Sequence, residues 1–383
     1  MEAVSEVSAL PMEEINSANH NSTKDRFLKT VKGERSCDEV VNAVIHLRCH
    51  LQWIATSPRQ QMLALSWLKT MAFCRNASIH AIKCFVTAHC VRMNDQRSLH
   101  IYIPMDRRLA MAQGRALPDA CAGAALFADI SGFTPLTEAL AIDLGRKRGA
   151  EELTKYLNLI YNGLIKQVHH YGGSVIGFAG DAITCWFDDS APEAIARAVA
   201  CALQLQQVMA ALGAVTTPSG QQVQLAIKVA VCAGPARRFA VGDPDIMRID
   251  ALAGDTLAQL AAAEHLAERG EVVVSQNVAD ALQGNLRINT WREDAEHGAR
   301  VAVIESITPE VPSLPWPDLS AGALSDDAIR PWLLPGVYER ERNSTDAFLA
   351  ELRPAVALFI RFDGIDYDTD PDAGDKLNAF VRC

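Results

Sequence analysis

From Gly123 onward, short apolar runs alternate with longer segments that carry a helical stripe. The run "AALFADIS" (Ala124–Ser131) predicts a strand that ends on an acid, Asp129. In "GAEELTKYLNLIYNGLIKQVHHYGG", residues Leu153, Tyr156, Leu157, Ile160, Leu164 and Val168 share one helical face, and Gly172 and Gly173 close the helix. "SVIGFAGDAITCWF" reads as strand, tight turn and strand, with the turn at Ala179–Gly180–Asp181. Ser190 and Glu193, with Pro192 between them, read as a capping box for a helix ending near Leu212. "VQLAIKVAVCAG" is the next strand, with Gln224, Ala226 and Lys228 alternating against apolar residues. A helix from about Asp255 to Glu268 and the strand "EVVVS" follow. This β-α-β-β-α-β order, with further additions, predicts an α+β, ferredoxin-like sandwich: a mainly antiparallel sheet with helices packed on it.

The flanks read differently. Residues 1–35 are polar, with few large apolar side chains, and are expected to be disordered. Residues 36–110 read as a helical region; Met62, Leu63, Leu65, Trp67, Leu68 and Met71 form a thick stripe suited to a core or an interface. His80, Cys84, His89 and Cys90 lie close together but lack a good zinc spacing, and read as part of a cysteine-rich helical core. Residues 307–350 form an expected linker rich in Pro, Ser and Asp. From Arg353 to Cys383, "VALFIRFDGI" echoes "AALFADISGF", which suggests the truncated start of a second domain of the same kind.

Composition narrows the function. A chain of 383 residues with 49% apolar side chains has room for two or three domains. The net charge of −10 argues against nucleic acid and anionic membrane surfaces as general partners. It is unevenly spread: residues 1–110 hold 14 Lys and Arg against 10 Asp and Glu, and the rest hold 22 against 36. That break suggests a boundary near residues 105–120. No secretory signal pattern and no apolar run of about 18 residues is visible, so no membrane span is expected. Ten cysteines without a CxxC pair suit a reducing compartment, and the expected location is cytoplasmic.

The chemistry centres on Asp129 and Asp181, 52 residues apart. If the hairpin pairs beside the first strand, both carboxylates reach one point. With backbone carbonyls they would make a hard-oxygen site suited to Mg²⁺. The segment Ile130–Thr134 then leads into a helix start, whose free N–H groups can receive phosphate oxygens. Metal beside phosphate points to nucleoside triphosphate chemistry. Either piece alone reads as an ordinary cap or turn; both together, in this order of elements, favour the site.

"LFADISGFT" with "GGSVIGFAGDAITCWF" resembles the catalytic domain of class III adenylyl and guanylyl cyclases over roughly residues 120–306, most like the first domain of soluble-type and bacterial tandem cyclases. The resemblance implies catalytic, metal-binding Asp129 and Asp181, a ligand from the Ile130 backbone, and two Mg²⁺ or Mn²⁺ ions. It also implies nucleotide contacts from Ile130, Ser131, Gly132, Phe133, Thr134 and Gly180. The implied reaction is attack of the ribose 3′-hydroxyl of ATP (or GTP) on its own α-phosphate, giving a 3′,5′-cyclic nucleotide and pyrophosphate for intracellular signalling. "GDTLAQLAAAE" (Gly254–Glu264) resembles the family segment that supplies a transition-state Asn and Arg, but those positions are Ala258 and Ala262, and the base-contacting Lys position is Gly177. The expected role is therefore the metal-supplying half of a two-domain cyclase, completed by a second cyclase domain in cis or in trans. The loss of Lys and Arg from the second pocket also argues against bicarbonate sensing there. The alternative is a degenerate module that binds nucleotide or gates a downstream ATPase-like region; a nucleic-acid binder built on residues 36–110 ranks below both. Arg237 and Arg238 read as a solvated surface pair in preference to a phosphate contact, and His169 and His170 as structural residues at a helix end.

Overall fold

The chain divides into two units, residues 1–96 and 97–383. The computed structural model describes residues 99–383 apart from 295–297, 321 and 344–361. The expectations for residues 1–98, including the His80 cluster, lie outside the described residues.

The second unit is built on one sheet. Its strands are β1 (Ala120–Ser131), β2 (Ser174–Ala179), β3 (Ala182–Asp188), β6 (Ala226–Val241), β7 (Ile249–Ala253), β8 (Val272–Ser275), β9 (Leu286–Asp294) and β10 (Ala299–Ile307). The order is β2-β3-β1-β6-β8-β10-β9, with β7 on the far end of β6. Only β6 and β8 pair in parallel; the other ladders are antiparallel. A separate ribbon joins β4 (Ala214–Thr216) to β5 (Gln222–Gln224).

Helices cover both faces. Helix α2 (Phe133–Leu144), α3 (Arg146–His170) and α4 (Ala194–Leu212) belong to one side, and α5 (Asp255–His265) to the other; α6 (Gln276–Ala281) joins the first layer. The alternation in β1 follows from this. Ala124, Leu126, Ala128 and Ile130 pack with Ile160, Leu164, Val168 and Leu205. Ala125 and Phe127 face Trp186, Ala230, Cys232 and Leu260 on the other side. A strand covered on both faces reads as a continuous apolar run, which is why "AALFA" shows no alternation. Leu126, Leu164 and Leu205 are fully buried, each worth roughly 1.5–3 kcal/mol of transfer free energy. Helix α4 is apolar and long enough, by length and composition, to cross a membrane. Here it is a core helix, with Ala198, Cys201, Ala202 and Leu205 fully buried.

Two expectations need correcting at this level. The Ser190 capping box does not form: α4 starts at Ala194, and Glu193 before it holds a left-handed conformation (φ 56°). Arg197, 2% exposed, ties that corner instead by donating to the carbonyls of Pro192, Tyr171, Asp188 and Ala191. Nor are Arg237 and Arg238 a solvated pair. Arg238 is 3% exposed and donates to both oxygens of Asp250 at 2.8 Å and to Asp106. Arg107 donates to the same Asp250 carboxylate at 2.5 and 3.1 Å. This buried network fastens helix α1 (Met105–Ala112) to the β6–β7 hairpin.

The flanks pack on the sandwich. Leu99 and Ile103 cluster with Leu324, Ile329, Trp332 and Leu333, around α7 (Asp326–Ile329) and ahead of α8 (Pro335–Asn343). Most of the strand expected from Arg353 lies outside the described residues, and Phe362–Asp366 is not in a strand. Beyond it, helix α9 (Ala373–Val381) seats Ala373 and Leu377 on Phe239 and Val241. Arg237 lies beneath this segment and donates to the carbonyls of Tyr367 and Asp370.

Candidate active site

The pairing register brings the two acids together. Asp129 lies opposite Ala182 of β3, and Ala179 pairs with Ala182 across a two-residue turn formed by Gly180 and Asp181. Asp181 is therefore the residue next to Asp129's cross-strand partner. Gly180 takes a positive φ of 66°, which this tight turn requires. On the other side of β1, Asp129 faces Lys228.

Beyond Asp129 the β3 ladder ends, while Ile130 and Ser131 still pair with Ile227 and Ala226 of β6. Their other backbone edge is not tied to β3 and lies just past the end of the β3 ladder, whose last pair adjoins Asp181. Gly132 then reverses the chain at φ 104°; a Cβ there would sit 3.0 Å from the Gln224 carbonyl oxygen and from a methyl of Leu225. Both constraints demand glycine. The first turn of α2 offers the N–H groups of Phe133 and Thr134, and Pro135 has none to offer. Thr134 is exposed and Phe133 half-buried.

Period two along β1 and β6 puts Asp129 and Lys228 on the α5 face of the sheet. The Lys228 ammonium lies 3.6 Å from Asp129 and forms an ion pair with Glu264 of α5. All three side chains are largely but not fully buried. Burial pushes the Asp129 pKa up, as does the Asp181 charge, and Lys228 only partly opposes them. For Lys228, burial acts downward, but Glu264 and then Asp129 outweigh it, and its pKa is raised. The Tyr161 hydroxyl of α3 donates to the Asp181 carbonyl at 3.1 Å, and its ring meets Phe178 edge-on. Burial, Asp181 and Asp129 push this phenol up to about 12.

Asp129 and Asp181 repel each other, and Lys228 beside Asp129 also serves Glu264, so a divalent cation would relieve the pair. Among the described residues, no group of three His, Cys, Asp or Glu could hold a metal ion. The oxygens this strand end has to offer a hard cation such as Mg²⁺ are therefore the two Asp carboxylates and neighbouring backbone carbonyls.

Lys228, Glu264 and Tyr161 were not among the sequence-based candidates. Lys228 showed itself only as a polar position in an apolar strand; what makes it a neighbour of Asp129 is the β1–β6 register, which no local pattern encodes.

Residues 121–300 match the family model of the adenylate and guanylate cyclase catalytic domain. This part of the chain is a class III nucleotide cyclase domain. The cyclase domain is similar to adenylate cyclase type 10 of Oryctolagus cuniculus and of Homo sapiens, each at 26% identity over 158 residues. Those alignments cover 40% of this chain but only 9% of each relative, so the chain spans a small part of the relatives it matches. The solved structure of the adenylyl cyclase CyaB from P. aeruginosa aligns with 50% of this chain and 97% of its own, at 19% identity and a TM-score of 0.41.

In the cyclase domain, Ala258 and Ala262 are one helical turn apart on α5, the first exposed and the second half-buried. Gly177 lies in β2, where a Cβ would meet nothing within 4 Å. That position has space for a side chain and lacks only the functional group.

Proposed function

We propose that the cyclase domain converts a nucleoside triphosphate, ATP in preference to GTP, into a 3′,5′-cyclic nucleotide and pyrophosphate, as the metal-supplying half of a two-domain site. The observation that carries this is the convergence of Asp129 and Asp181 at the end of β1, beside the Ile130 backbone and the start of α2. Two divalent ions, when bound, would activate the attacking 3′-hydroxyl and stabilise the leaving pyrophosphate. Asp129, Asp181 and the Ile130 carbonyl would hold them. The N–H groups of Phe133 and Thr134 would receive phosphate oxygens, with Gly132 keeping the backbone close enough. Lys228 adds a cation at the same point. Once nucleotide arrives, its ammonium can exchange part of the Glu264 pair for phosphate oxygen. Tyr161 holds the turn that carries Asp181. The preference for ATP draws on the similarity to adenylate cyclase type 10. Buried, unpaired Cys185, Cys201 and Cys232 suit the cytoplasm as the proposed setting.

Ala258, Ala262 and Gly177 offer nothing to a developing charge or to a base, so a second cyclase domain is needed to supply those groups. The proposed start of that domain, from Arg353, already rests on the first one through α9. The same alanines support a second reading, a nucleotide-binding module that regulates a downstream region. The test is cyclic nucleotide formation with Mg²⁺ or Mn²⁺, by the chain alone and with a second cyclase domain restored. Activity abolished by Asp129→Ala and by Asp181→Asn supports the enzyme. Nucleotide binding without turnover in the complete two-domain protein supports the module.

A further inference from the structure

A second cleft lies away from the aspartate pair. It has a volume of about 660 Å³ and runs between the last turn of α3, the start of α1 and the extended segment 315–319. That segment is fixed to the helix end: the backbone N–H of Leu314 donates to His170 at 3.1 Å, that of Trp316 to His169 at 3.3 Å, and the Trp316 indole to Gly173 at 2.7 Å. The cleft wall is rich in nitrogen, with Arg108, Lys166, His100, His169 and His170 against one acid, Asp318.

Arg108 is the unusual group. It is 9% exposed, and its Nε and Nη2 donate to the carbonyls of Ile103 and Ile101. Its Nη1 donates to nothing among the described residues. Among the described residues no carboxylate forms an ion pair with it, and the nearby Asp106 is engaged by Arg238. Its neighbour Arg107, also buried, has Asp250. Arg197 shows that carbonyls alone can hold a buried guanidinium, but Arg197 uses all three of its nitrogens. Arg108, which lines the cleft, leaves one nitrogen unused among the described residues. Burial pushes its pKa down to about 10, the mark of a cation short of a counter-charge. Burial, with Arg108 beside it, pushes His169 down to about 4, so the imidazole is neutral at pH 7. Lys166 is exposed at the cleft and has no ion pair among the described residues.

We infer that this cleft binds a small organic anion, its carboxylate or phosphate head on Arg108 Nη1 and Lys166 and its flat apolar body against Trp316 and the prolines on either side. The head would supply the counter-charge that Arg108 lacks, through charge-assisted hydrogen bonds. The mixture of a rigid aromatic wall with a few convergent polar groups is that of a small-molecule site. The inference is independent of the cyclase reading, since no residue of the aspartate site lines the cleft.

The test is calorimetric titration of the full chain in metal-free buffer with phenyl phosphate and with benzoate, beside inorganic phosphate and neutral benzyl alcohol. Saturable binding of one or both aromatic anions is expected, with the neutral probe silent. Lys166→Glu, an exposed change that leaves the fold intact, should weaken binding by about tenfold or more. Arg108→Met should abolish it, with circular dichroism reporting whether the fold survives. Asp129→Ala should leave it unchanged, which separates this cleft from the triphosphate site. If phenyl phosphate is favoured the head is a phosphate, and if benzoate, a carboxylate. No saturable binding of either anion, or equal affinity in Lys166→Glu, overturns the inference.

Discussion

The Asp250 carboxylate accepts four hydrogen bonds from two buried guanidinium groups, two from Arg107 and two from Arg238. Asp250→Ala removes all four. Arg238 would keep Asp106, but among the described residues the Arg107 guanidinium has no other carboxylate and retains the Trp332 ring, 5.1 Å away. Stranding a buried charge in this way costs about 3–5 kcal/mol, a large share of the ~5–15 kcal/mol that holds a folded domain together. The expected result is a fall in the midpoint of thermal unfolding on the order of 10 °C, with a matching loss in urea denaturation of the full chain. Asp250→Ala combined with Arg107→Met should recover part of that loss, because the stranded cation is gone. The pH dependence has a definite sign. Burial alone would raise the Asp250 pKa, but hydrogen bonds from Arg238 and Arg107 outweigh it and hold it low. Its contribution is therefore present above the ordinary carboxylate range and disappears as pH falls through the lowered value. Asp250→Ala should flatten that acid limb. A loss below about 1 kcal/mol, the level of an ordinary surface change, would refute the idea that this network fastens α1 to the hairpin.

Four further outcomes are expected. In metal-free protein, carboxyl NMR titration should show Asp181→Asn lowering the Asp129 midpoint and Lys228→Met raising it; reversed signs would contradict the described geometry. Because burial and the Asp181 charge raise the Asp129 pKa, protons compete with a bound cation sooner than at an ordinary aspartate, so Mn²⁺ affinity measured by paramagnetic relaxation should begin to decline at a higher pH than it would there. Gly132→Val should cost more than about 1 kcal/mol in urea denaturation, since it meets both a left-handed φ and a 3.0 Å contact; it should also depress nucleotide binding. Arg197→Met should lower stability by about 3 kcal/mol or more, because it leaves backbone carbonyls buried without a donor.

Much of the sandwich was legible because its cues are local. The β2–β3 turn at Gly180–Asp181, the stripe ending in Val168 and the glycines after it are all short-range signals, and each matches the observed element. Asp129 and Asp181 were legible as candidates because a carboxylate at the end of an apolar strand is conspicuous. What failed was non-local. Arg238 looked like half of a surface pair because its partners, Asp106 and Asp250, lie 132 and 12 residues away and nothing near it announces burial. Lys228 needed the register of two strands nearly a hundred residues apart. The Ser190 box has the right letters, but the chain turns left-handed at Glu193 and starts the helix after it.

The start of α5 is closed from a distance. The Asp255 N–H donates to the Asp368 carboxylate at 3.1 and 3.2 Å, a cap drawn from 113 residues downstream. At about 5–20 residues per second, the ribosome needs roughly 6–20 s to reach it. For that interval the helix that carries Glu264 has no acidic cap, and Phe239 and Val241 lack the helix that later covers them. The sandwich is therefore left, after its last strand has been made, with the start of α5 and one end of β6 uncovered until the downstream chain arrives.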